Sequence, residues 1–186
     1  MQLNLHHAVA AVKNLIQRAK DQQLSIACVQ EIYEIGPRPV GVPAHFKFFY
    51  SSREKLKAGI IVFNPNIQAM KVFSSKTVVA ITFTLRGRNI LLLSVYCPLS
   101  EDLESTLQQV EQCLNTPHDG LIIAGDFNAK SPVWGSNQED DKGQKLSEFC
   151  SIQRNGSPEH GGLSPDFSWI QGSILDRHDL LRLFHD

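Results

Sequence analysis

Two β-rich runs, Val78–Leu85 and Asn89–Tyr96, are separated only by Arg86-Gly87-Arg88, and this junction constrains the fold most. Apolar segments joined across so short a Gly-containing turn must pair antiparallel, as a hairpin. A purely parallel series of strand–helix–strand units is therefore excluded. Elsewhere the hydrophobic period changes. Val9, Val12, Leu15, Ile16 and Ala19 recur at helical spacing, which predicts an amphipathic helix over Ala8–Lys20. Ser25–Gln30 reads as a short buried strand ending at Glu31. Further strands are expected at Phe46–Tyr50 and Gly59–Phe63, the second closed by Asn64-Pro65. Leu103, Leu107, Val110 and Leu114 mark a second helix, with Ser100 as its expected N-cap and Glu101 and Asp102 in its first turn. Leu121–Ala124 is another buried strand, and Gly143–Phe149 predicts a third, shorter helix. Helices mixed with strands, including one hairpin, make a layered α/β or α+β sandwich.

Composition closes off other classes. The 186 residues are 42% hydrophobic, enough for one domain with a core and incompatible with a fibrous or disordered chain. Lys and Arg total 18 against 19 Asp and Glu, so no global charge favours nucleic acid or a membrane, and only a local patch could. Cys28, Cys97, Cys113 and Cys150 form no C-x-x-C pair, which argues against structural zinc. Cys28 and Cys97 lie in apolar runs, as buried free thiols do. Runs such as Ile90–Val95 are too short to cross a bilayer, and Met1–His7 lacks the pattern of a signal peptide. A soluble intracellular protein with no membrane partner is expected.

Polar residues stand at the ends of three apolar strands: Asn4 after Leu3, Gln30-Glu31 after Ile26–Val29, and Asp126 with Asn128 after Leu121–Ala124. A carboxylate directly after a buried strand sits at a sheet edge, where side chains from neighbouring strands converge. Asp126 and Asn128, two apart, point to the same side of an extended backbone. Two carboxylates and two carboxamides suit a hard divalent cation with oxygen ligands, Mg²⁺ above all. On spacing alone, Glu31 and Asp126 could equally be helix caps or solvated loop residues.

Gln30-Glu31-x-Tyr33, Val95-Tyr96-x-Pro98 and Gly125-Asp126-Phe127-Asn128-Ala129 resemble, in order, successive motifs of the endonuclease/exonuclease/phosphatase superfamily. The wording of Leu121–Gly135 most resembles the apurinic-endonuclease-like domains of arthropod-type non-LTR retrotransposons. Ser100–Leu114 and Asp141-x-Gly143-x-x-Leu146 match that subgroup's layout. The resemblance covers roughly Gln2 to Phe149. It implies a four-layer α/β sandwich of the DNase I-like type, C-terminally incomplete, over residues 1–150, with a divergent tail over residues 151–186. It further implies that Glu31 binds the metal, Mg²⁺ or Mn²⁺, with Asn4 beside it. Asp126 then orients or deprotonates the attacking water, Asn128 holds the transition state, and Tyr96 hydrogen-bonds the scissile phosphate. The implied activity is metal-dependent nicking of one strand of nuclear DNA. The nick would expose a 3′-hydroxyl for target-primed reverse transcription by a reverse transcriptase domain of the full-length element. A phosphatase of lipid or inositol substrates and an impaired remnant that only binds DNA or protein are the alternatives.

Two later motifs of the family depart from the pattern. Ser168-Trp169-Ile170 resembles a Trp-Ile-Asp-like strand, but Gln171 stands in the place of the Asp. No Ser-Asp-His occurs, and Arg177-His178-Asp179 has a different order. The missing histidine implies nicking slowed by about 10² to 10³, with weak metal binding retained. After Cys150 the chain turns rich in Gly, Ser and Pro, which predicts an exposed, mobile loop over Gln153–Ser164 and a short helix over Leu175–Leu183. His178 and His185 read as surface residues. Arg86, Arg88, Lys55, Lys57 and Lys71 could contact phosphates but read first as solvated surface. Trp134 is expected to pack on the loop after Asn128, and His6 and His7 lack metal-ligand spacing.

Overall fold

A computed structural model of the chain describes residues 1–36, 38–51, 55–155 and 167–171. In chain order they form β1 (Gln2–Asn4), α1 (Val9–Asp21), β2 (Ile26–Gln30), β3 (Glu34–Ile35), β4 (Arg38–Pro39), β5 (Lys47–Tyr50) and β6 (Ala58–Val62). There follow β7 (Ala69–Ser74), β8 (Val78–Leu85), β9 (Arg88–Tyr96), α2 (Leu103–Leu114), β10 (Gly120–Asp126), α3 (Asp141–Asn155) and β11 (Phe167–Gln171). One sheet runs β1-β2-β6-β5 and the other β11-β10-β9-β8-β7, with β3-β4 as a separate two-stranded ribbon.

The hairpin is present: β8 and β9 pair antiparallel from Val78 opposite Val95 to Leu85 opposite Arg88. Gly87, at φ 81°, takes the left-handed step that so tight a turn requires. β10 lies parallel on the other side of β9, and β1 parallel to β2. β2 and β6 are buried at every position, so they read as continuous apolar runs, as strands covered on both faces do.

Three apolar layers fill the spaces between elements. Val12, Leu15, Ile16 and Ala19 of α1 pack on Ala27, Val29 and Ile61 of the first sheet. Cys28, Ile60 and Val62 meet Val79, Ile81, Leu92 and Ile122 between the sheets. Leu91, Leu93 and Ile123 pack against Leu103, Leu107 and Val110 of α2 and against Leu146 and Phe149 of α3. The strand period of two explains the split within β9: Leu91, Leu93 and Val95 face the helices, while Ile90, Leu92 and Tyr96 face the other sheet. The order helix, sheet, sheet, helices is an α/β sandwich of four layers.

One polar row crosses the apolar space between the sheets. Gln2 Nε2 donates to Gln30 Oε1, Gln30 Nε2 donates to Ser94 Oγ at 3.0 Å, and the Ser94 hydroxyl donates to Val29 O at 3.4 Å. Gln30 and Ser94 are fully buried. Such groups are tolerated in a core only when hydrogen-bonded, so the row fixes one alignment of the two sheets.

The structure differs from the sequence expectation at the helix starts. Ser100 does not cap α2: the turn in which Glu101 N–H donates to Pro98 O delays the helix, and Asp102 takes the N-cap position with Glu104 in the first turn. α3 has 15 residues and outruns the expected Gly143–Phe149 at both ends. Asp140 starts it early, because its Oδ1 accepts the Gly143 N–H at 2.7 Å. Gly143 belongs to that first turn because a Cβ there would stand 1.8 Å from Lys130 O. Residue 150 thus lies inside α3, and Gln153–Asn155 are helical. The remainder of the expected loop, Gly161-Gly162 included, lies outside the described residues, as do Leu175–Leu183, His178 and His185. β11 extends the second sheet, parallel to β10, with Phe167 opposite Leu121 and Gln171 opposite Gly125. β7 was not foreseen; it pairs with β8 across a register shift between Lys71 and Phe73.

Cys28, Cys97 and Cys113 are buried free thiols, and burial pushes those of Cys28 and Cys113 up to about 12. Trp134 packs against the core beneath the helices and donates from Nε1 to Ala129 O at 2.9 Å. Among the described residues, no helix is long and apolar enough to cross a membrane.

Candidate active site

Parallel pairing puts Asn4 opposite Gln30, at the ends of β1 and β2, and Asp126 opposite Tyr96, at the ends of β10 and β9. Packing the sheets face to face brings these four strand ends to one rim. Two hydrogen bonds join the rim across the sheets. Asn4 Nδ2 donates to Asp126 Oδ2 at 2.9 Å, and the Tyr96 hydroxyl donates to Glu31 Oε1 at 2.8 Å. Asn4 also hydrogen-bonds Glu31, so its carboxamide lies between the two carboxylates. Asn128 donates its backbone N–H to Asp126 Oδ1 at 3.2 Å and its Nδ2 to Cys97 O at 2.9 Å, and its side chain reaches the Tyr96 hydroxyl. Asn4, Glu31, Tyr96, Asp126 and Asn128 therefore form one connected cluster.

The backbone at this rim is unusual. His6, His7, Glu31 and Asn128 all lie in the left-handed region, with φ between 47° and 50°. That conformation is costly for residues with a side chain, about 1–3 kcal/mol each, and persists where the surroundings enforce it. The enforcement is visible for Glu31: its N–H donates to Lys57 O at 3.0 Å, and its carbonyl accepts the His7 N–H at 2.8 Å. The turn after β2 thereby aims the carboxylate back over the strand ends. On the other sheet, Gly125 permits close approach instead; a Cβ there would stand 2.3 Å from Val95 O.

Asn128 sits on a loop anchored to the start of α3. Asp140 Oδ1 accepts the Lys130 N–H at 3.0 Å as well as that of Gly143, and the Asp140 N–H donates to Lys130 O at 3.1 Å.

Electrostatics set the protonation states. Burial alone pushes the Glu31 carboxyl up, but hydrogen bonds from Tyr96 and Asn4 and the charges of Lys57 and His7 outweigh it and hold it below its usual value. Burial and the bond to Glu31 push the Tyr96 phenol up, so it is a neutral donor at physiological pH. Lys57 Nζ stands 3.6 Å from Glu31 Oε1 and 5.2 Å from the Tyr96 ring centre. His6 Nδ1 lies 3.7 Å from Glu31 Oε2, and His7 Nε2 3.8 Å from Oε1. Sequence reasoning set Lys57, His6 and His7 aside. The available signal was position: Lys57 immediately precedes a buried strand, and the histidines follow Asn4.

The donor set is all oxygen, from the carboxylates of Glu31 and Asp126 and the carboxamide of Asn4. This chemistry fits Mg²⁺ or Mn²⁺ rather than a thiolate- or imidazole-seeking metal. Among the described residues no group of three His, Cys, Asp or Glu could hold a metal. So few protein ligands suit a cation that keeps several waters, as Mg²⁺ does.

A family described as endonuclease-reverse transcriptase matches residues 90–177, from β9 past β11. Among solved structures, the endonuclease domain of TRAS1, a telomere-specific non-LTR retrotransposon, is similar with a TM-score of 0.71 and 27% identity, covering 81% of this chain and 68% of that one. Two more distant structures share the fold. Humanized D. rerio TDP2 has a TM-score of 0.51 and 15% identity, over 73% of this chain and 65% of that one. An endonuclease/exonuclease/phosphatase family protein from Leptotrichia buccalis has a TM-score of 0.51 and 14% identity, over 80% and 71%. No curated protein matches. The motif order, the four-layer sandwich and these likenesses agree: they support the endonuclease/exonuclease/phosphatase superfamily, and the chain shares the fold of a non-LTR retrotransposon endonuclease domain.

Proposed function

We propose that the chain is a Mg²⁺-dependent phosphodiesterase, with Mn²⁺ as a substitute, that nicks one strand of duplex DNA. The observation that carries this reading is the hydrogen-bonded convergence of Asn4, Glu31, Tyr96, Asp126 and Asn128 on one rim. Glu31, ionised at neutral pH, holds the cation with Asn4 beside it. When bound, the cation supplies Lewis-acid activation of a phosphate oxygen. Asp126 is oriented through both oxygens, by Asn4 and by the Asn128 N–H, and takes the proton of the attacking water. The neutral Tyr96 hydroxyl and the Asn128 amide donate to oxygens that gain charge, without competing for the cation.

Likeness to the TRAS1 endonuclease domain supports DNA over a lipid or inositol phosphate as substrate. In a full-length element, a reverse transcriptase domain then extends the 3′-hydroxyl of the nick in target-primed synthesis, on chromosomal DNA in the nucleus. Relaxation of supercoiled plasmid in Mg²⁺, compared with EDTA and with release of phosphate from inositol phosphates, tests the reading. Open-circular plasmid formed only with metal is the expected result. Metal-dependent release from inositol phosphates with intact plasmid would overturn the DNA assignment.

A further inference from the structure

Lys57 is the lysine at this rim, and the mechanism above leaves it without a role. Its backbone is pinned on both sides, its carbonyl accepting the Glu31 N–H at 3.0 Å and its N–H donating to Lys76 O at 3.1 Å. Its side chain is only 17% exposed, whereas an ordinary surface lysine extends its ammonium into water. The ammonium stands 3.6 Å from Glu31 Oε1, an ion pair too long for a hydrogen bond, and lies over the Tyr96 ring. The Tyr96 hydroxyl already donates to that same oxygen at 2.8 Å. Lysine offers three donors on a compact point charge, which suits a phosphate oxygen. The rim also needs such a charge. Glu31 and Asp126 alone would repel an anionic phosphodiester, and the Lys57 ammonium lies beside the first of them.

We propose that Lys57 is a phosphate-binding residue of this site and contacts a non-bridging oxygen of the phosphodiester. The inference rests on the nuclease reading for its substrate class, but its test does not depend on turnover.

Binding of a short fluorescein-labelled DNA duplex is followed by anisotropy in EDTA over a range of salt concentrations. For Lys57→Gln the expected result is about tenfold weaker binding at low salt, with the slope of log Kd against log salt reduced by about one. Lys57→Arg keeps the charge and is expected to restore most of the affinity. Lys13→Gln, on the exposed face of α1, is expected to change neither quantity. If Lys57→Gln fails to fold, Glu31→Gln is compared with the double variant Glu31→Gln/Lys57→Gln, which removes both charges of the pair; the same loss of about one in slope is expected. A duplex affinity and salt slope unchanged by removal of the ammonium would overturn the proposal, as would a wild-type chain that binds no duplex. Plasmid nicking is scored separately. Its absence in the wild type, beside an intact effect of Lys57→Gln on binding, removes the hydrolase reading and leaves the phosphate contact standing.

Discussion

The two sheets contribute to the rim in different ways. The first supplies Asn4, Glu31 and Lys57, with His6 and His7 beside them, and three of these five residues sit in left-handed backbone. The second supplies Tyr96 and Asp126 from the ends of regular strands, and only Asn128, just past β10, is left-handed. The first half is thus aimed by strained turns and the second by sheet register. Neither half is complete alone, since the bonds from Asn4 to Asp126 and from Tyr96 to Glu31 both cross between them. The Gln2–Gln30–Ser94 row lies directly below, one residue before Glu31 and two before Tyr96. The alignment of two rigid layers, rather than any single loop, therefore sets the distance between the two carboxylates.

The comparison breaks most sharply at Asp126, the acidic group of the register-built half. Asp126→Ala is expected to lower plasmid nicking by about 10³, within the range for loss of a general base, while the melting temperature changes little. Nicking that survives this substitution would show that the second sheet does not supply the base. Tyr96→Phe removes one link across the sheets and one donor. Nicking is expected to fall by about 10². Gln30→Leu tests the layer beneath. It strands Gln2 and Ser94 without their buried partner, at a cost of about 2–3 kcal/mol, which is roughly 4–12 °C in melting temperature for a chain of this size. Thermal unfolding by circular dichroism reads the loss. An unchanged melting temperature would mean that apolar packing alone aligns the sheets.

How far the sequence exposed this arrangement depended on the kind of force involved. The hairpin, α1 and the strand ends carrying Asn4, Glu31 and Asp126 were legible because period and turn chemistry are local. The grouping of those ends on one rim was foreseeable once three strands were seen to end alike. Lys57 was not legible, because whether a lysine before a strand faces water or a carboxylate depends on which strand lies beside it. Here β6 pairs with β2, and that pairing delivers Lys57 to Glu31. The left-handed turns at His6, His7 and Glu31 escaped for the same reason, since contacts distant in sequence enforce them. The start of α3 was misread because Gly143 looks like a boundary. Its reason, the Lys130 carbonyl against the helix, exists only in the folded chain.

The smallest effect expected lies at the joint between the Asn128 loop and α3, where Asp140 does two tasks with one oxygen. Its Oδ1 caps the helix at Gly143 and holds the Lys130 N–H. Burial alone pushes this carboxyl up, but the two backbone N–H donors and the charges of Lys130 and Lys142 outweigh it and hold it below the usual range. A carboxylate depressed in the folded state stabilises the protein fully above its unfolded value, near about 3.9, and ceases to do so as pH falls through the folded one. Asp140→Ala is therefore expected to cost about 1 kcal/mol at neutral pH, the ordinary value of an N-cap, or roughly 2–4 °C in melting temperature. The gap between wild type and variant should hold from pH 7 to about 5 and narrow below about 4, where the unfolded chain takes up a proton that the folded carboxylate still resists, until pH falls through the folded value. Melting curves of both proteins across that range measure it. A gap that stayed constant to pH 3 would mean that the aspartate acts at this joint through its shape and not its charge.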